Sequence, residues 1–182
     1  MSELLAAVYR GDQERVEEIL AEEPELDIFE AAAVGRSDRV AQLLDADPGL
    51  VSAWTEDGFT PLHLAAFFRR PETARLLVEH GALVDVVARN EQLRVTPLQS
   101  AAAAREEETA ALLLERGADP NTQQRGGFTA LHAAAQHGDE PLVELLLAHG
   151  ADPALAADDG RSAADFARDG GHVELAARLS SP

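Results

Sequence analysis

"TPLHLAAFFRRPETARLLVEHGA", residues 60 to 82, reads as two short helices and a stop. Thr60 stands where a hydroxyl can accept a helix amide, and Pro61 occupies the first turn, where a missing N–H is tolerated. Leu62, Ala65 and Ala66 then recur at helical spacing, and the small alanines allow a neighbouring helix to come close. Ala74, Leu76 and Leu77 repeat the pattern, and Gly81 ends it with a residue suited to positive φ. A hairpin of this size has no interior. Its leucines and alanines leave water only if further hairpins stack beside it, at about 25 cal/mol per Å² of apolar area buried.

The rest of the chain supplies those hairpins. "TPLQSAAAAREEETAALLLERGA" (96 to 118), "TALHAAAQHGDEPLVELLLAHGA" (129 to 151) and "SAADFARDGGHVELAARLS" (162 to 180) follow at steps of 36, 33 and 33 positions. Two weaker copies precede them, one from Leu26 and one whose Gly11 matches Gly35. The expectation is an all-α repeat solenoid in one domain, 1–182, with units at about 2–25, 26–59, 60–95, 96–128, 129–161 and 162–180. Between units, "EDGF", "RGGF" and "DDGR" suit tight exposed turns. The capping threonine, proline, leucine, histidine and alanine pair of "TPLHLAA", with "GADPNT", "DGFTPLH" and "GGFTALH", resemble ankyrin repeats. The resemblance covers about residues 2 to 180 and implies helix pairs with projecting β-hairpin loops, a concave face, and a binding module as the default function.

Several positions depart from the pattern. Only 24 residues separate Gly11 from Gly35, as a capping unit allows. Three residues beyond the 33-residue period lie between Val86 and Thr96, predicting a longer finger over "VARNEQLRV". Arg69 and Arg105 stand where the other units place a helix-ending glycine, which would cost ~1 kcal/mol each if the left-handed backbone is kept. The last unit trades leucine for alanine and polar residues, as a water-facing end should.

Composition narrows the chemistry. All 15 basic residues are arginine, so a phosphate-loop lysine, a Schiff base and a kinase lysine are excluded. A net charge of -18 disfavours nucleic acid. Cysteine is absent, no run reaches membrane-spanning length and the start lacks signal-peptide character, so a cytoplasmic protein is expected.

No catalytic or metal constellation emerges, and no cofactor is expected. His63 and His132 occupy the "TPLH" position, where the resemblance implies a structural hydrogen bond. His80 and His149 precede helix-stopping glycines and suit a helix C-terminus. His132 and His137 are five apart, off the i, i+4 spacing of paired metal ligands. The serines lie outside any G-x-S-x-G turn, and "DDG" at 158 to 160 lacks the other ligands of a calcium loop.

Two rows cross the stack at the ends of the first helices: Tyr9, Ala33, Phe67, Ala103, Gln136, Asp169, and Arg10, Val34, Phe68, Ala104, His137, Gly170. The resemblance places them on the concave side. Arg36, Arg69, Arg70 and Arg105 lie beside them, and arginine with aromatic residues is the composition of binding hot spots. The loop tips add Trp54, Phe59, Arg89, Arg94, Arg125 and Phe128. The leading expectation is a non-catalytic, monomeric module that binds a protein partner here, an acidic segment being what the arginines would attract. A small hydrolase or metal-dependent enzyme on the same scaffold, and a self-associating subunit, are the alternatives.

Overall fold

The computed structural model describes residues 1–180; Ser181 and Pro182, the last positions of the span 1–182, lie outside the described residues. Among the described residues twelve α-helices follow one another: α1 (Glu3–Arg10), α2 (Gln13–Ala21), α3 (Ile28–Val34), α4 (Ser37–Ala46), α5 (Pro61–Phe67), α6 (Pro71–Glu79), α7 (Pro97–Ala104), α8 (Glu107–Glu115), α9 (Ala130–His137), α10 (Glu140–Ala148), α11 (Ala163–Asp169) and α12 (Val173–Leu179). A 3₁₀ turn, Pro48–Ser52, follows α4. Each odd helix packs on the even helix after it, and contacts also run from α1 to α3, α5, α7, α9 and α11 in succession. The even helices α4, α6, α8 and α10 form a second row. The fold is an all-α repeat solenoid.

Sequence chemistry sets where each helix begins. Thr60 and Thr96 accept hydrogen bonds from the amides of His63 and Gln99, while the side chains of His63 and Gln99 reach back to the Thr60 and Thr96 amides. Asp27 with Glu30, and Ser162 with Asp165, build the same reciprocal cap on α3 and α11. Between the caps, small residues let the first row close up: Ala31, Ala32, Ala65, Ala66, Ala101, Ala102, Ala134 and Ala135 are all buried. One apolar cluster runs from Leu4 to Leu179, with Leu62, Leu77, Leu98, Leu113, Leu131 and Leu146 among its largest buried side chains.

The projecting loops are tight turns rather than sheets. Thr55 N donates to Phe59 O at 2.8 Å, Gln124 N to Phe128 O at 2.9 Å and Ala157 N to Arg161 O at 2.9 Å. Two or three residues on each side of a turn leave no room for a ladder, and an isolated bridge between Ala156 and Ser162 is the most regular pairing among the described residues. Consecutive loops are tied together instead: Arg89 N donates to Gly58 O and Asp158 N to Gly126 O. Gly58 is required twice over. Its φ is +83°, and a Cβ there would sit 2.7 Å from the Asn90 amide of the next loop.

Candidate interaction site

The helix starts hold buried polar residues bonded into their own caps. The Thr60 amide donates to His63 Nδ1 at 3.2 Å, so that nitrogen must be the acceptor and Nε2 carries the proton. Nε2 then donates to Val95 O at 3.0 Å, on the loop before α7. Gln99 does the same one repeat later, its amide nitrogen reaching Thr122 O at 2.6 Å and Phe128 O at 3.2 Å. His132 accepts from the Thr129 amide at 3.0 Å, but its buried Nε2 has no hydrogen-bond partner. Burial pushes the imidazolium of His63 down to about 4 and that of His132 in the same direction; the Arg161 and Leu155 carbonyls oppose the second shift from outside hydrogen-bond geometry. Both rings are neutral at pH 7. His80 and His149 donate from Nδ1 to Leu76 O and Leu145 O, as helix C-termini invite. Among the described residues, no three His, Asp or Glu side chains converge as a metal set.

The helix ends are different. Arg69 and Arg105 hold φ of +59° and +57°, so the left-handed corner survives without glycine. Each guanidinium crosses to the next hairpin. Arg69 Nε donates to Glu106 Oε2 at 3.2 Å and Arg105 Nε to Asp139 Oδ2 at 3.3 Å, the acids standing at the N-caps of α8 and α10. Glu106 is 11% exposed against 65% for Arg69, so the acid is shielded while the outer face of the cation meets solvent. Arg70 is half-buried, lies against Gly35 and donates to Ala33 O at 3.0 Å. Arg10 and Arg36 are exposed and form no ion pair among the described residues.

The paired rings separate. Phe67 is 45% exposed and Tyr9 41%, whereas Phe68 is half-buried against Leu5, Ala33 and Leu64. Phe68 links the other two edge to face, 5.0 Å from Tyr9 and 5.2 Å from Phe67 between centroids. Ala33 interrupts the first row because this small cluster covers it completely. Val34 and Ala104 are half-buried, and Gln136, His137 and Asp169 are exposed. Burial, then the Asp57 carboxylate, raises the Tyr9 phenol above its ordinary value.

Tyr9 and Phe67 line a cleft of about 270 Å³. Leu93 and Val95 of the long finger also line it, with Ala103 and Ala133, and Gln99, Ser100 and Gln124 supply polar atoms. Leu93 is 49% exposed. Sequence reasoning pointed to the finger from Arg89 to Val95 through its three-residue excess and singled out Arg89 and Arg94 within it, not Leu93. Of the loop residues, Phe59 lines the cleft and stacks edge-on to His63, while Phe128 is half-buried and packs against His132 and Phe166. Trp54 lies under the Arg89 guanidinium at 4.1 Å, on the side of the stack that also carries Asp57. Arg94 holds φ of +53°, and Arg125 Nη1 donates to the Glu91 carbonyl at 3.0 Å.

Two family models match the chain, ankyrin repeats (3 copies) over residues 4–124 and ankyrin repeats (many copies) over residues 113–167. A rice protein (Oryza sativa subsp. japonica) named "Probable E3 ubiquitin-protein ligase XBOS31" is 39% identical over 69 residues, which span 37% of this chain and 16% of that protein. No helix among the described residues is long and apolar enough to cross a membrane.

Proposed function

The chain belongs to the ankyrin-repeat family, and from that premise we propose that it is a non-catalytic module that binds a protein partner through its exposed helix ends and loop tips. The observation that carries this is that Tyr9, Phe67 and Leu93, all exposed apolar side chains, line one cleft. Phe68 packs edge to face on Tyr9 and Phe67, and Arg69 and Arg105 follow Phe67 and Ala103 with solvent-facing charge. Absence of catalysis is part of the proposal. It is supported by the commitment of the buried histidines to helix starts, where both rings are shut away from solvent. A cytoplasmic, monomeric protein of six units spanning 1–182 completes the reading. The ligase name of the rice protein is not carried over, since the match spans so little of it.

The test is capture from the native host with wild type beside the Phe67→Ala Phe68→Ala protein, both checked for equal helicity and for molar mass by light scattering. The wild type retains a stoichiometric partner and the double variant loses it, because truncating aromatic anchors costs ~2 kcal/mol or more. Unchanged capture by the folded double variant sinks the proposal.

A further inference from the structure

The cleft beside the long finger is a feature of this chain's own irregularity. Only the loop before α7 carries the three extra residues, and from that loop Leu93 lines the same cleft as Tyr9 and Phe67. Without that excess the cleft would lose one wall. Its volume of about 270 Å³ is small for a drug-sized ligand but adequate for one bulky side chain. The lining is apolar at the sides, and its polar atoms at Gln99 are already occupied by backbone partners. Water gains little there and hydrocarbon much.

Charge decides what surrounds that side chain. Next to Leu93 stands Arg94, and Arg125 N donates to Leu93 O at 3.3 Å; the two arginines line a neighbouring hollow that shares Gln124 with the cleft. Neither forms an ion pair among the described residues, and Glu91 in the same hollow gives Arg125 only its backbone carbonyl. Arg69 and Arg105 follow Phe67 and Ala103 by two residues on the helix side, each bound through Nε alone and otherwise facing solvent. The opposite end, beyond Tyr9, carries Asp57. A protein of net charge -18 therefore gathers four arginines near one apolar recess: Arg94 and Arg125 without ion pairs among the described residues in the hollow beside the finger, and Arg69 and Arg105, each paired with one acid, after Phe67 and Ala103.

Resting on the interaction-module reading, we infer that the cleft receives a single bulky apolar side chain of an extended protein segment whose acidic residues flank it on the finger side. The arginines hold the carboxylates and the recess holds the hydrocarbon. Binding weakens as salt rises, because these arginines are exposed and screened.

The probes are fluorescein-labelled heptapeptides carrying one phenylalanine and four acidic residues on one side of it, in both chain orders. Two controls replace the phenylalanine with glycine or the acids with arginine. Fluorescence polarisation is expected to show one acidic phenylalanine peptide binding wild type roughly tenfold or more tighter than either control. Leu93→Asp, at an exposed position, abolishes that preference while leaving helicity intact. Arg94→Glu with Arg125→Glu transfers the preference to the basic control. Equal binding of the phenylalanine and glycine peptides, affinity indifferent to Leu93→Asp, or no binding of any peptide to wild type overturns the inference. If a peptide ignores Leu93→Asp yet is lost in the Phe67→Ala Phe68→Ala protein, the cleft assignment falls and the interaction module stands. If host capture also fails, both fall.

Discussion

The start and the end of the first-row helices lie one helix length apart and have opposite characters. At the starts of α5, α7 and α9, buried polar residues repeat the same arrangement, with Thr60 and His63, Thr96 and Gln99, Thr129 and His132. At the ends the corners of Arg69 and Arg105 repeat, but the exposed side chains just before them do not: Tyr9, Phe67, Ala103 and Gln136 share a position and run from aromatic to amide. A buried polar group that loses its partner costs 1–3 kcal/mol, so variation at the starts is restricted to residues that make the same bonds. An exposed end carries no such penalty. One edge of each hairpin is thus committed to stacking, and the other is free to be chosen for what it contacts.

Substitutions at the two edges should differ accordingly. The largest effect belongs to His63→Ala, which strands the Thr60 amide and the Val95 carbonyl and opens a cavity; a loss of about 3 kcal/mol in denaturant unfolding is expected. His63→Gln should keep most of the stability, because Gln99 already shows a glutamine making both bonds. Nearly as large is the acid response. The unfolded imidazole takes up its proton near 6.5 and the folded His63 only near 4. Acid therefore favours the unfolded chain: the stability is full above pH 6.5 and falls through the window down to 4, by about 3 kcal/mol. His63→Gln should flatten this limb of a pH titration of unfolding free energy, and an unchanged limb would assign it elsewhere.

A smaller gain is expected at α8. Thr73 shares a hydrogen bond with Ser37 one hairpin earlier, at 2.8 Å, but the residue matching Ser37 before Thr109 is Pro71. The Thr109 hydroxyl is consequently buried without a partner, and Thr109→Val should raise stability by about 1 kcal/mol. The smallest effects lie at the ends. Arg105→Gly relieves the left-handed backbone while losing the Asp139 ion pair, so it should stay within about 1 kcal/mol of wild type. Arg105→Ala keeps the strain and loses the pair, and should be the less stable of the two in the same thermal melt.

Much of this was legible in order of residues because the governing interactions are local. Thr60, Pro61 and Gly81 act within a turn of themselves, and the left-handed corners at Arg69 and Arg105 were visible as missing glycines. What reaches across hairpins was hidden. The partners of Arg69 and Arg105 lie 37 and 34 positions on, and nothing in a repeat's own pattern says that its corner will grip the next N-cap. The cleft was hidden for the same reason. Its sides come from α1, α5, α7, α9 and a finger, and the finger's length gave warning of a protrusion without saying which residue would turn inward. Ala33 shows the converse: it shares a row with Tyr9 and Phe67 but vanishes under Phe68, because a row position fixes direction and not what neighbouring side chains cover.

The contact between Trp54 and Arg89 has a practical consequence. This is the chain's one tryptophan, and its cationic neighbour comes from the following loop. Intrinsic emission therefore monitors the opening of a single junction near the amino-terminal third, whereas far-ultraviolet dichroism averages over every helix. Should the array unzip from its carboxy-terminal end, the two signals would part company during denaturation, and the gap between their midpoints would measure how far one module's collapse travels.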